Sequence, residues 1–206
     1  VFFFFLYQAY KANRPPMPDD LQVQIPFIKK FVAASNILSL EQQGVEADDI
    51  LASAVGLFTS HGHRVVIVSG DKDLLQLVSA DVVMWDPMKD REMDREAVHQ
   101  KYGLYPELLL DLFALIGDTS DNVPGVPGVG PKTAEKLITA YGSLDGLYAN
   151  IDQLKQSRVK EQIVANREQA YLSRQLISLK TDVAIPEEFS SYVVAEADDE
   201  QLVELY

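Results

Sequence analysis

Seven carboxylates in three short clusters carry the chemistry most legible in this chain: Glu46-Ala47-Asp48-Asp49, Asp71-Lys72-Asp73, and Asp118-Thr119-Ser120-Asp121-Asn122. There is no cysteine, which excludes thiolate metal sites and disulfide staples. Oxygen-only donor sets favour hard cations such as Mg²⁺ or Mn²⁺ over zinc. Two such ions about 4 Å apart can activate a water and stabilise the leaving oxygen of a phosphodiester.

Each cluster also has a plainer reading. Acids at a helix start complement its dipole. Asp48, however, lies three residues before Leu51 and continues the apolar stripe Leu51, Ala54, Val55 and Phe58, so it is expected to point inward, where a bare carboxylate is costly. Asp71-Lys72-Asp73 could be a polar turn. It nevertheless follows a buried strand, at the end where open α/β sheets place their ligand crevice. Asp118 and Asp121 follow the apolar segment from Leu108 to Ile116. Acids there oppose the dipole of a helix C-terminus, so compensating positive charge is expected.

Two further stretches could hold phosphate. Gly125-Val126-Pro127-Gly128-Val129-Gly130-Pro131-Lys132-Thr133 joins a tight glycine loop to a helix opened by Pro131. Amides at such a start, with Lys132 beside them, suit an anion. It is not a Walker loop, because Pro131 stands where the second glycine would be. Tyr10-Lys11-Ala12-Asn13-Arg14 combines two cations with an aromatic ring, which can grip a phosphate and stack on a base, or simply be solvated surface. Arg158, Lys160, Arg167, Arg174 and Lys180 form a diffuse basic trail near the end.

The elements that must position these residues follow from periodicity. Pro15, Pro16 and Pro18 forbid a helix there. A helix from Asp19 or Asp20 to about Ser35 is expected, with Leu21, Ile25, Ile28 and Val32 on one face and a kink at Pro26. Residues 36–40 read as a short strand, and a second helix runs from about Glu46 to Ser60. Arg64 to Val68 reads as a strand buried on both faces. A short helix covers 73–78, and Val82 to Trp85 forms another strand. Beyond residue 93 the chain reads as helices at 95–102, 106–116, 131–141, 144–150, 155–164 and 166–178. This is an α/β class with a mainly parallel sheet over residues 1–92. A helical subdomain over 93–206 packs on it, and within it 117–141 comprises the glycine loop and the helix that follows.

The net charge of −13 argues, taken alone, against a polyanion partner, although bound divalent cations would cancel two charges each. No apolar run approaches the ~20 residues that span a bilayer. The opening Val1-Phe2-Phe3-Phe4-Phe5-Leu6 lacks the flanks of a signal peptide. The absence of cysteine agrees with a reducing cytoplasm.

The chain resembles the 5′-nuclease domain of bacterial DNA polymerase I. The resemblance rests on Tyr-Lys-Ala-Asn-Arg-Pro-Pro-Met-Pro (10–18), Gly-Val-Glu-Ala-Asp-Asp (44–49), Ser-Gly-Asp-Lys-Asp (69–73), the block 117–134 and Leu-Ser-Arg-Gln-Leu (172–176). It implies a PIN-like core, a helical arch, and a helix-three-turn-helix clamp on duplex DNA, with K⁺ at the clamp. It implies that Glu46, Asp48, Asp49, Asp71, Asp73, Asp118 and Asp121 hold two Mg²⁺ or Mn²⁺ ions, directly or through water. Lys11 and Arg14 would be catalytic, at the arch base beside the scissile phosphate. Tyr10, Lys11, Arg14, Gly125, Gly128, Gly130, Lys132 and Thr133 would contact DNA.

The implied protein is a bacterial, cytoplasmic, monomeric 5′–3′ exonuclease and flap endonuclease of replication and repair, including RNA primer removal. It would act on DNA with a 5′ flap or 5′ end and a downstream duplex, with no membrane partner, and a polymerase domain could share its chain. Two departures stand out. The family's opening strands and their two aspartates are expected before Tyr10 and are not in this sequence. Phe3-Phe4-Phe5 also stands where the family has polar residues. The alternatives are a catalytically impaired fragment that binds duplex through its clamp, and a PIN-type ribonuclease.

Overall fold

The computed structural model describes residues 6–205, so the expectation concerning Phe3 to Phe5 lies outside it. The chain first folds as a series of turns over residues 8–13, then leaves on an excursion that returns at Glu46. On that excursion α1 (Asp19–Gln22) and α2 (Ile25–Ala34) replace the single kinked helix expected. Pro26 sits in the first turn of α2, where its missing N–H costs nothing, so the break falls before it, at Val23 and Gln24. Leu21, Phe27, Ile28 and Phe31 remain exposed, and only Ala34 of α2 is buried. The stripe read from spacing therefore has little to pack against among the described residues. Residues 36–40 form no strand: Asn36 adopts a left-handed conformation (φ 51°) and breaks the extension.

α3 (Ala47–Ser60) starts at Glu46 as expected. The sheet follows, with β1 (Val65–Val68), β2 (Val82–Asp86) and β3 (Arg91–Met93) in that order. β1 pairs in parallel with β2, Val65 opposite Val82, whereas β2 pairs antiparallel with β3, Met84 opposite Met93. The third strand is a short hairpin return that spacing alone did not reveal. Ile67 faces the core, but Val66 and Val68 are 59% and 57% exposed, so β1 is covered on one face rather than two. A 3₁₀ helix, Lys72–Leu77, carries the chain from β1 to β2 and buries Leu74 and Leu75.

The remainder is helical: α4 (Arg95–Tyr102), a 3₁₀ turn (Pro106–Leu108), α5 (Leu109–Ile116), α6 (Pro131–Tyr141), α7 (Leu144–Ala149), a second 3₁₀ turn (Ile151–Gln153), α8 (Arg158–Ala165) and α9 (Arg167–Ile177). A third 3₁₀ turn (Phe189–Tyr192) and α10 (Asp199–Glu204) close the described chain. α5 is apolar nearly all round and is buried at Leu109, Leu112, Phe113, Ala114 and Leu115. It is the axis of one continuous core running from Ile67 and Met84 of the sheet to Leu147 of α7, Ile163 of α8 and Leu176 of α9. No helix among the described residues is long and apolar enough to cross a membrane.

Candidate active site

The three acidic clusters arrive at one place for different local reasons. Glu46 stands at the N-cap position of α3 without a side-chain capping bond, and the first turn of α3 presents Asp48 and Asp49. Asp71 caps the 3₁₀ helix after β1, its Oδ1 accepting the Asp73 N–H at 3.0 Å. Asp118 follows α5, whose C-cap Gly117 turns the chain with φ 78°. Asp118 and Val123 then exchange two backbone hydrogen bonds, of 2.9 and 2.7 Å, closing a tight loop that projects Asp121.

Glu46, Asp48, Asp49, Asp73 and Asp121 line one small cavity together with Tyr10 and residues 176–179. Its volume is about 20 Å³, room for one water-sized species. A phosphodiester is too large for a space of that size. Asp71 and Asp118 do not line this cavity but adjoin it through Asp73 and Lys72. Among the described residues, no three acidic or histidine side chains stand close enough to hold a metal ion together.

Cations occupy the spaces between the acids. Lys11 Nζ donates to Glu46 Oε2 at 2.7 Å and lies 3.7 Å from Asp121 Oδ2. Arg14 pairs with Asp121 Oδ1, its Nε donating at 3.1 Å. Lys72 Nζ meets Asp118 Oδ2 at 2.5 Å and sits over the Phe113 ring. Sequence reasoning gave Lys72 no role; its place between two aspartates was the available signal. The segment carrying Lys11 and Arg14 is knitted to the Asp118–Asp121 loop by three bonds. Lys11 N–H donates to Asp121 O (2.8 Å), Asn13 Nδ2 to Thr119 O (2.6 Å) and Asn122 Nδ2 to Ala9 O (2.6 Å). Lys11 and Asn122 both take left-handed backbone to do so, at φ 55° and 56°.

Burial and like charge set the protonation states. Burial pushes the Asp73 carboxyl up to about 7, with Asp71, Asp118 and Asp121 adding repulsion against a lowering by Lys72. Its Oδ1 is buried with no hydrogen-bond partner. Burial also raises Asp48, helped by Asp71 and Glu46. Burial would raise Asp118 too, but hydrogen bonds from Lys72 and Ser120 outweigh it and hold that carboxyl below its ordinary value.

Several expectations need correction. Asp49, not Asp48, is the buried acid of α3. Its Oδ1 accepts the Lys180 N–H at 2.9 Å and so anchors the segment after α9. One residue on a helix is a rotation of about 100°, enough to exchange the two. Tyr10 is 4% exposed, beneath Lys11, with no ring face open to stack on a base. Burial raises its hydroxyl to about 12.

Gly125 is also interior rather than presented to a partner. Its N–H donates to Ser173 Oγ at 3.0 Å and its carbonyl accepts from Gln169 Nε2 at 2.6 Å. A Cβ at Gly125 would lie 2.5 Å from Gly117 N, so these glycines permit a close backbone approach. Thr133 spends its N–H on Gly130 O at 3.0 Å. Gly128, Gly130 and Lys132 are exposed, and their amides find no acceptor among the described residues.

Comparison with known proteins bears on the family and the fold. The family model "5′-3′ exonuclease, N-terminal resolvase-like domain" matches residues 5–103, and "5′-3′ exonuclease, C-terminal SAM fold" matches 104–200. They meet at Gly103, the left-handed C-cap of α4. DNA polymerase I of Rhizobium leguminosarum is 43% identical over 96% of this chain and 20% of the relative. The 5′-3′ exonuclease of Aquifex aeolicus is 42% identical over 87% of this chain and 61% of the relative. The chain thus spans about a fifth of the DNA polymerase I relatives it matches. A solved structure of T5 5′-exonuclease with divalent metal ions (zinc) bound shares the fold at a TM-score of 0.76 and 22% identity, covering 100% of this chain and 79% of that one. The catalytic core of Rad2 in complex with DNA substrate does so at 0.61 and 16%, covering 100% and 69%.

Proposed function

The chain belongs to the 5′–3′ exonuclease family, and from that premise we propose that it is a metal-dependent 5′ nuclease hydrolysing DNA phosphodiesters at a 5′ end or flap. One observation carries the proposal: five carboxylates line a single ion-sized cavity whose neighbouring cations, Lys11 and Arg14, stand beside it. The oxygen-only donor set and the orphaned, buried Asp73 Oδ1 fit a hard divalent cation. Asp48, Asp71, Asp73, Asp118, Asp121 and Glu46 are the residues that would hold two Mg²⁺ or Mn²⁺ ions, with Asp49 fixing the wall behind them. Such ions lower the pKa of a water and stabilise a leaving oxygen.

The protein's own side chains do the rest. Arg14 is about half exposed, and its guanidinium can turn from Asp121 to a phosphate oxygen, where it offers paired donors. Lys11 sits deeper and would neutralise charge developing on the same phosphate. The excursion over residues 15–45 begins at Arg14 and ends at the Lys11–Glu46 bond, so a strand threaded beneath it would be delivered to the carboxylates. Gly128, Gly130 and Lys132 would grip the downstream duplex, with K⁺ at the clamp part of the same reading. The DNA polymerase I relatives extend the proposal to replication and repair.

A second reading, a duplex-binding chain without turnover, is favoured by the absence of any ready three-ligand cluster among the described residues. One experiment separates the two. A labelled 5′-flap duplex is incubated with this chain in Mg²⁺ and in EDTA. Flap release in Mg²⁺ alone, lost in Asp71→Asn/Asp73→Asn, is the expected result; binding without release supports the second reading.

A further inference from the structure

The five bases near the end of the chain looked equivalent in sequence, and the structure separates them. Arg174 Nη1 pairs with Asp145 at 2.9 Å, and its Nε lies 3.0 Å from Asp111. The Arg167 guanidinium lies over the rings of Tyr148 (5.3 Å) and Tyr171 (5.8 Å). Lys160 Nζ donates to the carbonyls of Leu154 (3.0 Å) and Asp152 (3.3 Å). Lys180 gives its backbone N–H to Asp49. Arg158 has no acidic partner, hydrogen bond or ring contact involving its side chain among the described residues, and it is exposed.

Its position makes that freedom informative. Arg158 opens α8, behind Ser157, whose Oγ accepts the Lys160 N–H at 3.2 Å. With Val159 and Gln162 of α8 it lines an open cavity of about 200 Å³, and the opposite wall is Pro127 and Gly128 of the glycine loop. Two segments far apart in sequence thus line one hollow, one carrying a guanidinium without a partner and the other a Gly128 amide without an acceptor among the described residues. A guanidinium beside a backbone N–H is a strong donor set for a phosphate oxygen. Residues 125–167 carry six bases against four acids in a chain whose net charge is −13. Negative charge elsewhere would hold a polyanion off, whereas here it would be drawn in.

We propose that this cavity takes a backbone phosphate of duplex DNA, next to the phosphate held by Gly130 and Lys132, and that Arg158 is its principal donor. The inference rests on reading the glycine loop as a duplex clamp.

The test is fluorescence anisotropy of a labelled blunt duplex in EDTA across a salt series, with the intact chain, Arg158→Gln, Arg158→Lys, and Arg64→Gln as a control of equal charge change at an exposed site. Losing one phosphate contact should lower the slope of log K against log salt by about 0.9 and weaken binding roughly fivefold, with Arg158→Lys in between and Arg64→Gln unchanged. An unaltered slope in Arg158→Gln, or an equal fall in Arg64→Gln, overturns the assignment while leaving the clamp. If the intact chain shows no salt-dependent duplex binding, the clamp reading itself fails and the Arg158 site with it.

Discussion

Replacing Asp73 by Asn should stabilise the metal-free protein at neutral and alkaline pH while abolishing Mg²⁺-dependent cleavage. Asp73 is partly buried, its Oδ1 has no partner, and burial lifts its carboxyl from 3.8 to about 7 in the folded state. A raised acid pKa means that folding favours the protonated form. Below about pH 4 both states bind the proton, and the group contributes no penalty. Between about 4 and 7 the unfolded chain releases it while the folded protein holds it, so stability falls as pH rises. Above about 7 the full penalty is present. At ~1.4 kcal/mol per pH unit, a window of roughly three units sets an upper limit of about 4 kcal/mol. Water entry and side-chain movement would leave about 1–2 kcal/mol.

Asn cannot ionise, and its amide can donate toward Asp71, Asp118 and Asp121, the acids that repel Asp73. Urea unfolding of both proteins in EDTA at pH 4, 6 and 8.5 reads the difference. The advantage of Asp73→Asn should be near zero at pH 4, grow through pH 6, and level off by 8.5. Excess Mg²⁺ should shrink the advantage, because only the native carboxylate gains from the cation. A variant equally stable or less stable than the parent at every pH would refute the account of Asp73 as a strained buried acid.

Other substitutions probe different parts of the argument. Lys72→Met strips the nearly buried Asp118 of its charge partner, though Ser120 still donates to it, and should cost about 1–2 kcal/mol by urea unfolding in EDTA, with much of it restored by Mg²⁺. Gly125→Ala must place a Cβ 2.5 Å from Gly117 N at φ 60° and should lower stability by several kcal/mol or prevent folding. Gly128→Ala meets open space at φ 79° and should cost about 1 kcal/mol in calorimetry while weakening duplex binding. Ser173→Ala leaves the buried Gly125 N–H without its acceptor, and thermal unfolding should show a loss of about 1–3 kcal/mol with little change in DNA affinity.

What could be read in the sequence was what local spacing encodes. The stripe of α3, the proline start of α6 and the apolar α5 each announce themselves within a dozen residues. The acidic clusters were legible because unpaired acids beside apolar runs demand an explanation. The unread features depend on distant partners. Nothing in Asn13 or Asn122 declares that their amides will bridge to Thr119 and Ala9, more than a hundred residues away in sequence. Tyr10 looked like a stacking residue because its neighbours are charged, yet the core beneath it claims the ring. The exchange of Asp48 and Asp49 reflects a helix rotated to give Asp49 to Lys180, a partner no periodicity in α3 could supply.

The charge of the molecule makes sense only with that geometry. Lys11, Arg14 and Lys72 are held by acids of the cavity region, so the acidic region supplies counterions for its own bases. Lys132, Lys136, Lys155 and Arg158, by contrast, have no acidic partner among the described residues. On the proposed reading, a chain of net charge −13 would meet DNA through the glycine loop, where bases are free, while its acids would face the reacting bond and need cations before a phosphate could approach. Salt and divalent ions should then act on separable steps. Raising KCl should weaken duplex binding with little effect on the divalent-ion requirement. Removing Mg²⁺ should end cleavage while leaving clamp binding in place. Anisotropy and flap-release assays on the same preparation check both, and loss of duplex binding on Mg²⁺ removal alone would show that the two regions do not work independently.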